Sequence, residues 1–278
     1  MDFKSVCIRS LSGIVYIAVI VFAILGGCRT VSLLALIFGL LAIFEVERMM
    51  AVKTDGQLDK TALAIDMGAI GCLLLSPVFS FLIFFWIAFE FLRFVWQLYS
   101  PFNQPLKSIA FSIFSQTYIA VPLFALVGLS SMISPDNLQL LAIIGMIWIN
   151  DTGAFVVGCT IGRHRLFPKH SPKKSWEGFF GGLLFNMIAG FIFGFVCFNS
   201  FVGFHEAKIV LWIVMGIVVT VFATWGDLFE SMIKRSVGVK DSGKLIPGHG
   251  GILDRIDSLL FVAPSTILYI LFISFFLN

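Results

Sequence analysis

Long apolar runs separated by short polar breaks follow one another along almost the whole chain. A helix that crosses the hydrocarbon core of a bilayer needs about 20 mostly apolar residues. The pattern therefore predicts nine membrane-crossing helices, near residues 9–27, 30–47, 61–76, 78–98, 107–129, 138–159, 177–198, 208–228 and 258–276. The second and third runs are the weakest, and a count of eight or ten crossings stays open.

The composition agrees with a membrane protein and excludes most other classes. Of the 278 residues, 59% are hydrophobic and 13% are charged, whereas soluble domains carry roughly a quarter charged residues. A soluble domain, a disordered chain and a disulfide scaffold are therefore excluded. The net charge of +3 is too small to indicate a nucleic-acid partner.

The lysine and arginine residues predict the orientation. With a cytoplasmic N-terminus, all 19 of them except Arg29 and Lys208 fall in cytoplasmic loops or at the adjacent helix ends. Cytoplasmic loops of membrane proteins are enriched in Lys and Arg. We therefore expect an all-α polytopic membrane protein with about nine transmembrane helices and its N-terminus in the cytoplasm.

Acidic residues inside or at the edges of apolar runs include Asp66, Glu90, Asp151 and Asp227. A charge inside a membrane costs at least ~2.5 kcal/mol and usually faces a protein interior or a watery cavity. One polar cavity that opens to the cytoplasm would explain all four. The alternative, which we favour for Asp66 and Glu90, is an ordinary helix-end charge that reaches the interface.

Two predicted cytoplasmic segments, residues 163–178 and 226–258, mix basic residues, carboxylates, Gly and Pro. A simple connecting loop needs none of this. We therefore expect residues 148–278 to form a catalytic membrane region, and residues 1–147 to supply membrane helices and a lipid groove.

Helical spacing organises the second segment. Asp227, Ser231 and Lys234 share one helix face, and Asp254 and Asp257 lie one turn apart. Carboxylates on one side repel unless a cation lies between them, and oxygen ligands point to Mg²⁺ or Mn²⁺ rather than Zn²⁺. The alternative is ordinary salt bridges between these aspartates and nearby basic side chains.

Glycine-flanked His249 and the basic residues before the seventh run both suit phosphate. Gly250 and Gly251 let the backbone approach a ligand closely, and Lys173 and Lys174 precede a helix N-terminus, which attracts anions. A tight turn at His249 and a plain topology signal at the lysines are the alternatives. Together these features indicate phosphoryl or nucleotidyl transfer to a lipid.

Four short motifs in the second segment resemble the signature of the phosphatidate cytidylyltransferases, also called CDP-diacylglycerol synthases. The motifs are Ser231-Met232-Ile233-Lys234-Arg235, Lys240-Asp241, Pro247-Gly248-His249-Gly250-Gly251 and Asp254-Arg255-Ile256-Asp257. Two further stretches, Asp151-Thr152-Gly153-Ala154-Phe155 and 171–178, are similar to upstream family motifs. Phe155 replaces a Tyr of the family pattern, and Ser175 replaces a Thr.

The resemblance implies a nucleotidyltransferase of phospholipid biosynthesis that converts CTP and phosphatidate into CDP-diacylglycerol and pyrophosphate. It implies dependence on Mg²⁺, with room for a second cation, a site at the cytoplasmic face of the cell membrane, and a homodimer. The implied catalytic residues are Asp227, Lys234, Arg235, Asp254 and Asp257, with the three aspartates as metal ligands. The implied substrate-binding residues are Asp151, Ser171, Lys173, Lys174, Ser175, Ser231, Lys240, Asp241, His249, Gly250, Gly251 and Arg255.

Two other functions stay open from the residues. A lipid kinase would move the γ-phosphoryl group of CTP or ATP to a polyprenol or diacylglycerol. A transporter with an inward anion-binding cavity would show an internal repeat, and the sequence shows none.

Overall fold

The computed structural model describes residues 3–51, 58–101, 104–132, 137–197, 208–243, 245 and 250–277. These residues are mostly helical, as the apolar pattern predicts. The helices are α1 Phe3–Leu25, α2 Cys28–Ala51, α3 Lys60–Leu75, α4 Leu82–Tyr99, α5 Pro105–Ser115, α6 Val121–Met132, α7 Leu138–Ile161, α8 Trp176–Ile192, α9 Lys208–Ser236 and α10 Leu253–Leu277. Two strands, β1 Arg165–Phe167 and β2 Ser171–Ser175, lie between α7 and α8.

Seven helical stretches among the described residues are long and apolar enough to cross a bilayer. They comprise α2, α4, the continuous α5–α6 stretch, and α7 to α10. The apolar part of α1 covers Ser10–Leu25, and α3 has 16 residues, so both are shorter than a usual crossing. The all-α polytopic membrane fold is confirmed, while nine crossings and a cytoplasmic N-terminus stay predictions.

The chain forms two compact units. The first comprises Met1–Ser131 and Ser236–Ile256, and the second comprises Met132–Arg235 and Asp257–Asn278. Helix α10 therefore begins in the first unit and continues in the second. The predicted functional division at residue 147 concerns chemistry rather than packing, and it stays a prediction.

The first unit buries a polar cluster among its apolar helices. The Asp66 side chain is only 2% exposed, and its carboxylate lies 3.5 Å from Nε of Arg93. The Ser112 hydroxyl donates a 2.6 Å hydrogen bond to the same carboxylate. A buried charge is costly unless it is paired and hydrogen-bonded. The interpretation of Asp66 as a helix-end charge at the interface is therefore wrong.

The second unit packs α7 against α8 and connects them through a short hairpin. Strands β1 and β2 are antiparallel, with Arg165 opposite Ser175 and Phe167 opposite Ser171. Ser175 also starts α8, because its hydroxyl accepts a 3.1 Å hydrogen bond from the N–H of Gly178, an N-cap interaction. The basic residues of β2 thus lie directly before the N-terminus of α8.

Candidate active site

Helices α9 and α10 make backbone contact at Gly226, next to the predicted Asp227. A Cβ atom at position 226 would lie 2.5 Å from the carbonyl oxygen of Asp257 and 3.0 Å from Cα of Ser258. Only glycine fits such a close approach. The Ser258 hydroxyl adds a 3.2 Å hydrogen bond to the carbonyl of Ala223. This contact brings the side chains of Asp227 and Asp257 together.

Three carboxylates form a cluster beside this contact: Asp227, Glu230 and Asp257. One oxygen of each lies within 4.8 Å of the others. Glu230 is buried, whereas Asp227 and Asp257 are partly accessible. The Ser231 hydroxyl donates to Asp227 at 3.3 Å. Carboxylates this close repel one another unless positive charge lies nearby.

Two lysines supply positive charge to the cluster. Nζ of Lys174 lies 2.6 Å from the Asp227 carboxylate, and Nζ of Lys234 lies 2.5 Å from the Glu230 carboxylate. The Lys174 and Asp227 side chains are 26% and 37% exposed, so the protein does not fully enclose this pair. The cluster is therefore balanced by long side chains that can move.

A cavity of about 610 Å³ lies beside the cluster. Ligand pockets commonly have volumes of roughly 300–1,000 Å³, so its size suits a nucleotide-sized ligand. Its apolar wall includes Phe155 and Phe179. Its polar side chains are those of Asn150, Asp151, Arg165, Lys173, Lys174, Ser175, Thr224 and Asp227.

Glu177 ties the two ends of the hairpin together. Its carboxylate accepts hydrogen bonds from the N–H groups of Arg163 and His164 at 3.1 and 3.2 Å. It also contacts Nδ1 of His164 at 2.6 Å. Because Glu177 lies in the first turn of α8, these bonds fix the path of β2. The Glu177 contacts therefore also position Lys173 and Lys174, which line the cavity.

The α9–α10 loop, residues 237–252, carries most of the remaining signature residues and belongs to the first unit. Asp254, at the start of α10, accepts hydrogen bonds from the N–H groups of Ser242 at 3.0 Å and Gly251 at 2.8 Å. The Ser242 hydroxyl lies 3.1 Å from the same Asp254 oxygen. Asp254 therefore organises the loop directly.

The other predicted site residues have varied settings. Lys240, Asp241 and Arg255 are exposed in the first unit, and His249 lies outside the described residues. Gly250 has a φ of +86°. In the second unit, Arg235 is exposed in the last turn of α9, and Ser171 begins β2.

Glu230 belongs to the cluster but was not predicted from the sequence. It lies three residues after Asp227 and four before Lys234, so it shares their helix face. That spacing is a signal that could have identified it. Arg165, Asn150 and Thr224, which also line the cavity, have no such signal, because only folding brings their elements together.

Fold and site together define a polytopic membrane protein whose clustered carboxylates and lysines suit phosphate-bearing ligands. Residues 7–273 match the Cytidylyltransferase family, and the chain belongs to that family.

Several relatives of this chain share one name, phosphatidate cytidylyltransferase. The chain is 33% identical over 263 residues to the phosphatidate cytidylyltransferase of Staphylococcus haemolyticus, which covers 92% of this chain and 96% of the relative. It is 33% identical over 267 residues, with the same coverage, to that of Staphylococcus epidermidis. The protein of that name from Haemophilus influenzae is 46% identical over 125 residues, covering 45% of this chain and 43% of the relative.

Proposed function

We propose that this protein transfers the cytidylyl group of CTP to phosphatidate, which yields CDP-diacylglycerol and pyrophosphate. The observation that carries the proposal is the cavity beside the Asp227, Glu230 and Asp257 cluster, with Lys173 and Lys174 in its wall. Membership of the Cytidylyltransferase family supports the group transferred. The names of relatives that align over most of their length support phosphatidate as the acceptor.

The proposed reaction brings two anions together. An oxygen of the phosphatidate phosphate attacks the α-phosphorus of CTP. The bond from this phosphorus to the oxygen bridging the α- and β-phosphates breaks, and pyrophosphate leaves with the electron pair. The attacking oxygen is already ionised near neutral pH, so no strong general base is needed. The protein has to position the reactants and neutralise their charge.

Basic side chains around the cavity are the proposed phosphate ligands. Lys173, Lys174 and Arg165 all line it, and the N-terminus of α8 follows immediately after β2. Helix N-termini and guanidinium groups both bind phosphate well. Lys234 and Arg235 lie in the last turn of α9, and we keep both as proposed phosphate ligands.

The carboxylate cluster fits a hard divalent cation. It offers only oxygen donors, as Mg²⁺ prefers, and one oxygen of each carboxylate lies within 4.8 Å of the others. We propose that Asp227, Glu230 and Asp257 would hold Mg²⁺, which would supply positive charge to offset the negative charge of the reacting phosphates. Asp254 stays a predicted ligand, although one of its oxygens accepts hydrogen bonds from the α9–α10 loop.

Lys174 and the cation compete for Asp227. Nζ of Lys174 lies 2.6 Å from Oδ2 of Asp227, one of the two oxygens that this carboxylate offers. We propose that Lys174 exchanges its contact with Asp227 for one with the nucleotide phosphates, which would leave the Asp227 carboxylate to hold a cation. The partial exposure of both side chains allows this exchange.

We also propose nine crossings, a cytoplasmic N-terminus and a site at the cytoplasmic face of the cell membrane. Helices lie at all nine predicted positions within the described residues, and the distribution of Lys and Arg favours this orientation. The proposed homodimer rests on the family resemblance alone, and the mass of the protein in detergent tests it.

The direct test uses purified protein in detergent with labelled CTP, phosphatidate and Mg²⁺. We expect a lipid product whose mass includes the cytidylyl group, release of pyrophosphate, and loss of both with EDTA. A phosphate monoester with a nucleoside diphosphate would instead indicate a lipid kinase. Anion uptake into vesicles without any lipid product would indicate a transporter.

A further inference from the structure

We propose that Glu45 of α2 is a positioning residue for the cytidylyl transfer proposed above. It would hold the α9–α10 loop and the start of α10 in the arrangement that the site needs. The inference rests on the proposed function, and it concerns a residue 197 positions before the loop residue Ser242 that it contacts.

The Glu45 carboxylate gathers three donors. One oxygen accepts a 3.0 Å hydrogen bond from the N–H of Ile252. The other accepts from the N–H of Leu253 at 3.0 Å and from the Ser242 hydroxyl at 2.8 Å. Glu45 is only 6% exposed. A buried carboxylate with several donors is a strong and geometrically restrictive anchor.

These contacts determine where α10 starts. Ile252 immediately precedes Leu253, the first residue of the helix, and the first N–H groups of a helix have no acceptor within it. A negative group at this end is also favoured by the helix dipole. Because the acceptor belongs to α2, Glu45 fixes the first turn of α10 from another helix. Asp254 is the second residue of α10, so its direction depends on this turn.

Two loop glycines fit around the same carboxylate. A Cβ atom at Gly251 would lie 2.6 Å from one Glu45 oxygen and closer still to the other and to the Ser242 hydroxyl. A Cβ atom at Gly243 would lie 2.9 Å from Cδ of Glu45. From the sequence, Gly251 is predicted to allow close approach to a ligand. Its close neighbour in the structure is Glu45, so the loop is shaped to receive this side chain.

Ser242 connects Glu45 with the predicted site residue Asp254. Its hydroxyl lies 2.8 Å from Glu45 and 3.1 Å from Asp254, and its N–H donates to Asp254 at 3.0 Å. On the far side of this turn, the Tyr16 hydroxyl donates to the carbonyl of Arg255 at 2.9 Å. Displacement of Glu45 would therefore disturb Asp254 as well as the loop backbone.

The test compares Glu45→Gln with Arg48→Gln in the full-length protein in detergent. Glutamine has the same size as glutamate, but its side-chain NH₂ group replaces one of the two acceptor oxygens. That NH₂ group would face the N–H and hydroxyl donors that now bind Glu45. Arg48 is exposed on the same helix and serves as the matched control. Hydrogen–deuterium exchange of residues 250–257 and the kcat and KM for CTP are measured for each.

We expect the Ile252 and Leu253 amides of Glu45→Gln to exchange at least about tenfold faster. We expect kcat to fall roughly 10- to 100-fold, the range for loss of one hydrogen bond to a charged group. The KM for CTP should change less than about threefold, because the groups proposed to bind its phosphates are untouched. Glu45→Asp should recover part of kcat, and Arg48→Gln should behave like the wild type.

The inference would be overturned if Glu45→Gln had the same amide hydrogen exchange and the same kcat as the wild type. Faster exchange with unchanged kcat would also overturn it, since Glu45 would then be a structural cap only. If Glu45→Gln fails to fold, Ser242→Ala replaces it, with the same local loosening expected and wild-type behaviour contradicting the inference. Absence of CTP turnover in both the wild type and Arg48→Gln would instead contradict the proposed function.

Discussion

Two sets of carboxylates in this protein have different kinds of partner. Asp227 and Glu230 in the second unit pair with lysine amines. Glu45 and Asp254 in the first unit accept hydrogen bonds from backbone N–H groups and the Ser242 hydroxyl. A lysine can leave and make room for a cation, whereas a backbone donor cannot leave without a change in the fold. For these four carboxylates, the kind of partner therefore distinguishes Asp227 and Glu230, which can exchange a lysine for a cation, from Glu45 and Asp254, which also hold the loop backbone in place.

The largest expected effect is that of Asp257→Asn. Asparagine keeps the shape and the acceptor for the 2.6 Å hydrogen bond from the N–H of Ser258, but it weakens the proposed cation site. We expect kcat/KM for cytidylyl transfer to fall at least about 10³-fold, because a bound metal contributes several kcal/mol. Exchange of the α9–α10 loop should stay unchanged. Turnover within about tenfold of the wild type would remove Asp257 from the metal site, and Cys159→Ala, in the cavity wall, is the control.

Asp254→Asn should combine two kinds of damage. It weakens the hydrogen bonds from the N–H groups of Ser242 and Gly251, so we expect faster exchange at both amides and a fall in kcat/KM of roughly 10²-fold. Hydrogen exchange and steady-state kinetics on the same preparation measure both. A loss as large as that of Asp257→Asn, with unchanged exchange, would place Asp254 with the chemical carboxylates and contradict the division.

Lys174→Gln should lower kcat/KM less than the aspartate variants do, and it should strengthen cation binding instead of weakening it. We expect kcat/KM to fall about tenfold through loss of a charged phosphate contact, while Mn²⁺ binds more tightly because its competitor for Asp227 is gone. Isothermal titration with Mn²⁺ and steady-state kinetics test the two effects. Lys169→Gln, an exposed lysine in the turn of the hairpin, is the control. Weaker Mn²⁺ binding in Lys174→Gln would refute the proposed exchange.

Phe155→Tyr should have the smallest effect. Phe155 is 70% exposed and lines the cavity, so the added hydroxyl would fit without a steric clash. We expect kcat and KM within about twofold of the wild type. A larger gain in kcat would mean that the hydroxyl common in the family pattern takes part in the reaction.

The helices could be predicted because the length of an apolar run is a local property of the sequence. Each predicted run coincides with a helical stretch, although α3 is short for a crossing. The hairpin of β1 and β2 was not predicted. Its strands have three and five residues, which is too short for a period of two to be recognised.

The site could be predicted only in part, because spacing identifies neighbours on one helix and not contacts between distant segments. Spacing placed Asp227, Ser231 and Lys234 on one face of α9. It also grouped Asp254 with Asp257, but Asp254 is anchored to the α9–α10 loop in the first unit. Glu45 lies inside a predicted membrane run, and such a charge was a signal available from the sequence. Its contact with Ser242, 197 residues away, could not be predicted from the sequence.

The proposed function depends most on Asp227, Glu230 and Asp257 holding the divalent cation that accompanies CTP. Electron paramagnetic resonance of Mn²⁺ with purified protein and CTP tests it most directly. The account predicts stoichiometric bound Mn²⁺ in the wild type and in Cys159→Ala, and a strongly reduced bound signal in Asp227→Asn and Asp257→Asn. Wild-type Mn²⁺ binding in both aspartate variants would contradict it.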